Sequence, residues 1–302
     1  MKMNMFTPPP PRASGLDFSA DLSDNICPVC SGPMYPLFGA GKPYAMCKVC
    51  RYMAADSMPG AGAEIESLGV VREKNFTRII KTLKKKYTWA NTILDVGSSH
   101  GVFLRLAAQN EFTATGLEPD ERLAGECRNS GFDVVTGFFP EADELAGKTF
   151  DIIIFNDSFE HIPNLQALIT GIKAHLGKKG IVVVNLPNSD GLLFQSALLA
   201  YQFGIQVPFD RLWQKGFASP HLHYFNTRNL KMLFERHGFT QQENMPLSYY
   251  LITGLWRRIR CKASLCVSII AWLILTILYP FFCVKSDCFA SYFTFKNEAC
   301  YE

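Results

Sequence analysis

Between residues 92 and 187, short apolar runs rich in β-branched residues alternate with stretches of helical periodicity. Short apolar runs bounded by turn residues are typical of strands buried on both faces, and intervening helices imply that the strands pair in parallel. The runs are TILDVG, TATGLE, FDVVTG, FDIIIFND and GIVVVNLP. This pattern predicts an α/β fold, with a doubly wound parallel sheet covered by helices on both faces. Ligands of such sheets bind beyond the carboxyl ends of the strands.

The first of these runs ends in the turn DVGSSHG, which leads into the apolar stretch VFL. Gly97 and Gly101 allow the backbone to approach a ligand, and a helix starting here would offer free N–H groups to an anion. Dinucleotide sites and S-adenosylmethionine (SAM) sites share both properties. The dinucleotide fingerprint GxGxxG does not fit, because Ser99 and Val102 occupy its second and third glycine positions. The pattern present is acidic-x-G-x-x-x-G, beginning at Asp95.

A second acidic residue lies at the end of the next apolar run, where Glu118 stands in GLEPD. A carboxylate at this place can accept hydrogen bonds from both hydroxyls of an adenosine ribose, because each hydroxyl donates one. The glycine turn and this carboxylate are therefore predicted to bind one nucleoside-containing cofactor.

With these features the chain resembles the class I SAM-dependent methyltransferases. The resemblance rests on ILDVGSSHGVFL, GLEPD, FDIIIFNDSFEHIPN, KKGIVVVNLPN and HLHYFNTRNLKMLFERHGF, whose order and spacing match over residues about 70–245. It implies a Rossmann-like, doubly wound methyltransferase sheet of seven strands, in a domain over residues 65–250. Ser99 departs from the family pattern, because many members have a glycine at this position.

The resemblance also implies which residues bind SAM, all of them at or near the carboxyl ends of predicted strands. Gly97 and Gly101 would hold the methionine part and Glu118 the ribose. Asn156 and Asp157, after the fourth run, would face the methyl donor and its acceptor. The complete implied set is Asp95, Gly97, Ser98, Gly101, Glu118, Pro119, Asn156 and Asp157.

Three histidines are candidates for the acceptor side of the site. Methyl transfer from SAM releases a neutral thioether, so the protein supplies alignment and a base for the acceptor proton rather than an acid. Histidine titrates in the range that such a base requires. His161 follows the fourth run, and His221 and His223 lie in SPHLHYFN. We expect a catalytic residue among these three, with His161 first; a structural hydrogen-bonding role is the alternative for each.

Four cysteines near the amino terminus form two CxxC pairs, CPVC and CKVC. Cys27, Cys30, Cys47 and Cys50 together offer the tetrahedral sulfur set that zinc prefers. We therefore predict a small zinc ribbon over residues 25–58, because so small a core needs a metal to fold. The zinc is expected to be structural, since four thiolates leave no open coordination position. A redox-active dithiol is the alternative.

The carboxyl-terminal part of the chain is strongly apolar. Residues 263–284 carry no charge, and as a helix they would be long enough to cross a bilayer core. More basic residues precede this segment than follow it, which predicts a catalytic domain on the cytoplasmic side of the inner membrane. Residues 251–302 are interpreted as a membrane-associated tail, although a helix lying in the membrane surface or a buried core helix would also fit. Residues 1–24, rich in proline, are predicted to be a disordered lead.

These features together predict a cytoplasmic enzyme held at the membrane that methylates a small molecule, a sugar or a lipid-linked glycan. The resemblance is closest to bacterial methyltransferases with a zinc ribbon that are associated with surface-polysaccharide and lipid-linked sugar assembly. The alternatives are an RNA methyltransferase whose zinc ribbon binds RNA, a nicotinamide-dependent sugar oxidoreductase, and a SAM-binding protein without catalysis. Nucleic acid is not the expected partner, because the net charge is only +3 and no basic stripe interleaved with aromatic residues is present.

Overall fold

The computed structural model describes residues 26–39, 43–57, 60, 69–248 and 286–296, with a few isolated helical positions between 256 and 277. The predicted lead over residues 1–24 and most of the uncharged segment 263–284 lie outside these residues. The strands and α-helices are β1 Met34–Pro36, β2 Tyr44–Cys47, β3 Met53–Ala55, α1 Gly69–Lys86, β4 Thr92–Val96, α2 Val102–Gln109, β5 Thr113–Glu118, α3 Glu121–Asn129, β6 Asp133–Thr136, β7 Phe150–Asn156, α4 Leu165–His175, β8 Leu176–Pro187, α5 Leu192–Gln202, α6 Val207–Leu212, β9 His223–Tyr224, α7 Thr227–Arg236, β10 Phe239–Leu247 and β11 Cys288–Phe295.

The main sheet has seven strands in the order β10-β11-β8-β7-β4-β5-β6. The five predicted apolar runs form β4 to β8, and these strands pair in parallel, which confirms the predicted α/β sheet. From β4 the chain proceeds to β5 and β6 on one side and then returns to β7 on the other. The strand order therefore reverses between β4 and β7, and a ligand crevice is expected at the carboxyl ends of these two strands.

Both faces of the central strands are buried, as their continuous apolar runs require. Along β7, Ile152 and Ile154 pack in one apolar cluster with Ile79 of α1. Ile153 and Phe155 belong to a second cluster that includes residues of α4 and α7. This alternation is the period of two that a strand imposes on its side chains. Helices thus pack against both faces of the central strands, whose carboxyl ends form the expected ligand crevice.

Strand β11 lies within residues 251–302, which the sequence analysis interpreted as a membrane-associated tail. It pairs antiparallel with both β8 and β10, with Ala290 opposite Asn185 on one side and Met245 on the other. The methyltransferase sheet therefore extends beyond the predicted domain end at residue 250. Sequence reasoning missed this strand because its run, CFASYFTF, follows a long apolar stretch and is placed by pairing with strands distant in the chain.

Among the residues that are described, no helix is both long enough and apolar enough to cross a membrane. The uncharged segment 263–284 is joined to the fold by Leu247 and Cys288, which pair with each other. Cys288 also pairs with Pro187 at the carboxyl end of β8. The chain between β10 and β11 therefore leaves and rejoins the sheet at the edge that carries the crevice.

A second, smaller sheet has the antiparallel order β1-β2-β3-β9. Its first three strands come from the cysteine-bearing amino-terminal module, and β9 comes from the methyltransferase domain. Met53 pairs with Tyr224 and Ala54 with His223. Aromatic residues of α5 and α6, including Phe209, pack against this sheet. The amino-terminal module is thus joined to the chain segment that carries two of the candidate histidines.

Candidate functional site

The turn after β4 has the conformation that its glycines make possible. Gly97, Ser99 and Gly101 have φ angles of 79°, 48° and 69°. A Cβ atom on Gly97 would lie 2.8 Å from the Cβ atom of Ser158, so both the conformation and the space require glycine. Ser99, the departure from the family pattern, adopts the left-handed conformation at a cost of about 1 kcal/mol. The turn therefore keeps its backbone shape with serine at position 99 in place of glycine.

Helix α2 begins at this turn without a side-chain cap. Its N-cap residue is Gly101, which has no side chain, and the described residues provide no side-chain cap for the helix. The hydroxyl groups of Ser98 and Ser99 are buried and have no hydrogen-bond partner among the residues described. Unsatisfied N–H groups and buried hydroxyls are donors that a polar ligand can satisfy. The turn thus has the features of a site for a carboxylate or another small polar group.

Glu118, at the end of β5, lies beside the glycine turn. Its side chain is buried, with Oε2 accepting a hydrogen bond from the Ser99 N–H at 2.7 Å and Oε1 accepting from the Asp120 N–H at 3.0 Å. Each carboxylate oxygen has a further lone pair with which it can accept from a ribose hydroxyl. Pro119 is half-buried beside it. Asp120 caps α3, accepting from the Arg122 and Leu123 N–H groups of the first turn of that helix.

A chain of buried polar side chains runs from the carboxyl ends of β4, β7 and β8 to the amino end of β11. Asn156 Nδ2 donates to Asp95 Oδ1 at 3.1 Å, and Asn185 Nδ2 donates to Asn156 Oδ1 at 3.3 Å. The Cys288 thiol of β11 donates to Asn185 Oδ1 at 3.3 Å. Burial raises the pKa of Asp95 to about 7; the Asn156 hydrogen bond opposes the shift and the Glu118 charge adds to it. Asn185 and Cys288 are site residues that the sequence analysis missed.

The one visible signal for Asn185 is a polar residue at the end of the apolar run GIVVVNLP. Asp157 continues the chain after Asn156 with a φ angle of 52°, which is strained for a residue other than glycine. Its Oδ2 lies 3.3 Å from Nε of Arg72, a residue of α1 that the sequence analysis did not consider. Asp157 therefore follows the carboxyl end of β7 and is paired with a cation there.

His161 and His221 are brought together by the fold, with ring centroids 4.7 Å apart. The half-buried His161 has its Nδ1 2.9 Å from the Pro220 carbonyl oxygen. The residue before His161, Glu160, is 1% exposed and has its Oε1 3.8 Å from His221 Nε2. Burial lowers the pKa of His221 well below its ordinary value and raises that of Glu160 well above it. The sequence analysis missed Glu160.

His223, the third predicted catalytic histidine, has both ring nitrogens in structural hydrogen bonds. Nε2 lies 2.9 Å from the Ile162 carbonyl oxygen and 3.2 Å from that of Pro163, so this nitrogen carries the hydrogen. Nδ1 accepts from the Tyr52 hydroxyl. Burial lowers the pKa of His223 to about 4. These contacts oppose the predicted catalytic role, which the sequence could not exclude because Tyr52 belongs to the amino-terminal module.

The four cysteines of the amino-terminal module converge, with ligand atoms within 4.8 Å of one another. Cys27 Sγ lies 3.6 Å from Cys50 Sγ, and Cys30 Sγ lies 3.5 Å from Cys47 Sγ. Sulfur atoms at these separations fit a tetrahedron around an ion with metal–sulfur bonds of about 2.3 Å. The donor set is therefore compatible with zinc.

Comparison with known proteins agrees with this architecture. Residues 49–244 match the model of a family described as "Methyltransferase domain". The C-methyltransferase NovU of Streptomyces niveus is 26% identical over 192 residues, which cover 62% of this chain and 40% of NovU. The chain thus spans less than half the length of this relative.

Two solved structures extend the comparison. A SAM-dependent methyltransferase from Thermotoga maritima, described as a possible histamine N-methyltransferase, is 14% identical with a TM-score of 0.50, covering 75% of this chain and 90% of that one. The amino pentose methyltransferase CalS10 from Micromonospora echinaspora, solved with SAM bound, is 21% identical over 37% of this chain and 50% of its own, with a TM-score of 0.34.

The family match covers more than half of the chain. The Thermotoga maritima enzyme, at a TM-score of 0.50, supports the same fold. The seven-stranded order, with antiparallel β11 between β8 and β10, differs from the all-parallel six-stranded order of dinucleotide-binding folds. The chain belongs to the methyltransferase-domain family of SAM-dependent methyltransferases.

Proposed function

We propose that the protein transfers the methyl group of SAM to a small-molecule acceptor, namely a sugar or a lipid-linked glycan. One observation carries the proposal. The glycine turn, the uncapped start of α2 and the Glu118 carboxylate converge at the carboxyl ends of β4 and β5, beside the polar residues that follow β7. The residues proposed to bind the cofactor and those proposed to face the methyl acceptor thus line one crevice, at the point where the strand order reverses.

SAM supplies an electrophilic methyl group when it is bound, and this chain supplies the contacts that orient it. Glu118 accepts hydrogen bonds from the ribose hydroxyls. The hydroxyls of Ser98 and Ser99, buried without partners, and the first N–H groups of α2 donate to the methionine part. We assign the buried Asp95 carboxylate, two residues before Gly97, to the amino group of SAM. Asp95, Ser98 and Glu118 belong to the predicted cofactor-binding set, and Ser99 is an addition to it.

The acceptor side is formed by Asp157, Glu160, His161 and His221. His161 has its Nδ1 directed at a carbonyl oxygen, so the hydrogen lies on Nδ1 and Nε2 carries a lone pair. Burial keeps His221 neutral as well. We propose that the His161 imidazole activates the nucleophilic atom of the acceptor, with His221 and Glu160 beside it.

Two features support an acceptor attached to a lipid. The end of α5 and the start of α6 expose large apolar side chains, with Phe203 77% and Val207 76% exposed and Leu199 and Ile205 nearby in the chain. The uncharged segment 263–284 occurs in the sequence between Leu247 and Cys288, and these two described residues pair at the crevice edge of the sheet. Vesicle flotation of the full chain tests this proposal. We expect binding to neutral phospholipid vesicles that falls in a Phe203→Ser, Val207→Ser variant; equal recovery of both proteins with the vesicles, or no wild-type binding, contradicts it.

We further propose that Cys27, Cys30, Cys47 and Cys50 bind one structural zinc ion. Their sulfur separations and the absence of other donor types in this cluster support zinc over harder ions. Elemental analysis of the purified protein should find one zinc per chain at this site, lost in a Cys27→Ser, Cys47→Ser variant. Retention of zinc by that variant contradicts the assignment.

Calorimetric titration of SAM, its demethylated product and NADH tests the central proposal. We expect SAM and the product to bind and NADH not to bind. A Glu118→Ala variant should lose at least about tenfold in affinity, because two charge-assisted hydrogen bonds to the ribose are removed. The matched control is Glu121→Ala, an exposed carboxylate of α3. Failure of the folded wild-type protein to bind SAM, or binding of NADH instead, overturns the proposal.

A further inference from the structure

Glu160, His161 and His221 form a compact cluster of metal-binding groups distinct from the cysteine cluster. One ligand atom of each residue lies within 4.8 Å of the others. We propose that these three side chains are a second metal site, which binds a divalent transition-metal ion at the acceptor side of the crevice.

The first argument is the environment of the Glu160 carboxylate. Both of its oxygens are buried, and neither has a hydrogen-bond partner in the part of the chain that the structure describes. Buried carboxylates are stable when they are paired, protonated or coordinated to a metal. The nearby cation Arg72 is already paired with Asp157. Glu160 thus has one oxygen, Oε1, 3.8 Å from the His221 imidazole, and among the described residues no donor hydrogen-bonds to either of its oxygens.

The second argument is the orientation of the His161 ring. A metal-binding histidine commonly donates its other ring N–H to a backbone carbonyl, which fixes the tautomer and aims the lone pair. His161 Nδ1 has this contact, 2.9 Å from the Pro220 carbonyl oxygen, with Ser219 Oγ at 3.2 Å. The hydrogen is therefore on Nδ1, and Nε2 is the nitrogen that can coordinate an ion.

The third argument is the position of His221. Its Nε2 lies 3.8 Å from Glu160 Oε1, and the N–H of the next residue, Leu222, donates to the Glu160 carbonyl oxygen at 2.9 Å. This backbone bond holds the two side chains side by side. Nε2 also lies 2.9 Å from Nε2 of Gln214, so coordination through this atom requires the Gln214 amide to turn away. Ligand atoms bound to one ion at about 2.1 Å are closer together than those here, so the cluster must contract slightly on binding.

The donor set indicates the class of ion. One carboxylate and two imidazoles, without a thiolate, suit Mn²⁺, Fe²⁺, Co²⁺ or Zn²⁺ better than Mg²⁺ or Ca²⁺. Three protein ligands leave coordination positions open, in contrast to the cysteine cluster. With an ion bound, Nε2 of His161 would be a ligand and no longer a base, and the ion would instead polarise a hydroxyl or carbonyl oxygen of the acceptor. That role rests on the proposed function, whereas metal binding itself does not.

Cobalt titration of the full-length protein, first loaded with zinc at the cysteine cluster, tests this inference. We expect one further equivalent of Co²⁺ to bind, with d–d absorption bands and without a sulfur-to-cobalt charge-transfer band. A Glu160→Gln variant should lose at least about tenfold in cobalt affinity, because the anionic ligand is replaced by a neutral one. It should retain one zinc and unchanged SAM affinity. The control variant Glu111→Gln, at an exposed position, should bind cobalt as the wild type does.

Two results overturn the inference. One is a folded, zinc-loaded wild-type protein that takes up no second equivalent of Co²⁺, Mn²⁺ or Zn²⁺. The other is a Glu160→Gln variant that binds cobalt as tightly as the wild type. If this variant does not fold, the cobalt stoichiometry and the absorption spectrum of the wild-type protein decide whether the second metal site exists. SAM titration of the same samples separates this outcome from failure of the proposed methyltransferase function, since SAM can bind while the second metal does not.

Discussion

The hydroxyl of Tyr52, in the amino-terminal module, donates a hydrogen bond to Nδ1 of His223, in strand β9 of the methyltransferase domain. Both residues are buried, and the strands that contain or flank them pair in one sheet. His223 follows His221 by two positions, so this bond anchors the segment that carries an acceptor-side histidine. The cysteine-bearing module is therefore expected to stabilise the acceptor side of the crevice rather than the cofactor side.

A Tyr52→Phe variant tests this connection. It leaves His223 Nδ1 buried without a donor, which we expect to lower the free energy of unfolding by about 1–3 kcal/mol. Urea unfolding measures the change, and a Tyr35→Phe variant at a half-buried position of β1 is the control. SAM affinity should stay within about twofold, because no contact of the glycine turn is altered. A loss of SAM affinity without a loss of stability contradicts this account.

Gly97→Ala should both destabilise the protein and weaken SAM binding. The new methyl group meets Ser158 and also forces a side chain into a φ angle of 79°. Gly147→Ala is a matched control, since its φ is 75° and no atom lies within 4 Å of the added Cβ. We expect about 1 kcal/mol of destabilisation at Gly147 and more at Gly97. Thermal unfolding and SAM titration would contradict the prediction if the two variants behaved alike.

Asp95 should make the stability of the ligand-free protein depend on pH. Burial raises its pKa to about 7 when folded, whereas the unfolded carboxyl has its ordinary pKa of about 4. Between these pH values the folded state binds more protons than the unfolded state. The contribution of Asp95 to the free energy of unfolding therefore falls as pH rises from about 4 to about 7, and it no longer changes at higher pH. The loss is on the order of 2–4 kcal/mol.

An Asp95→Asn variant should lose this contribution, so the difference between wild-type and variant unfolding free energies should change across this pH range. Chemical denaturation at several pH values measures it. Asp143→Asn, at an exposed position, should leave the wild-type pH dependence intact. A constant difference between wild type and Asp95→Asn would show that the buried carboxyl does not titrate in this range.

His161→Gln should abolish most methyl transfer without weakening SAM binding. The change removes the Nε2 lone pair at the acceptor side, and activation of an acceptor by such a group contributes roughly 100-fold or more to the rate. Transfer of a labelled methyl group from SAM to membrane extracts measures activity, and calorimetry measures SAM affinity. His237→Gln, at the C-cap position of α7, is the control. Unchanged transfer by His161→Gln would exclude its proposed role.

The amino-acid sequence by itself determined the features that depend on local chain pattern. The runs that form β4 to β8 are recognisable because a buried strand needs consecutive apolar residues, and the glycine turn because its backbone angles exclude most side chains. Glu118 could be placed because it ends one of these strands. The cysteine pairs could be recognised because the four thiols show a metal-binding spacing.

Tertiary structure decided the features that depend on contacts between distant segments. β11 enters the sheet through pairing with β8 and β10, although its sequence continues an apolar stretch. Glu160 meets His221 because a backbone bond from Leu222 aligns the two segments. His223 is held by Tyr52, a residue far away in the chain. Local periodicity constrains which residues are buried, but only packing determines which buried polar groups find partners and which remain available for a ligand.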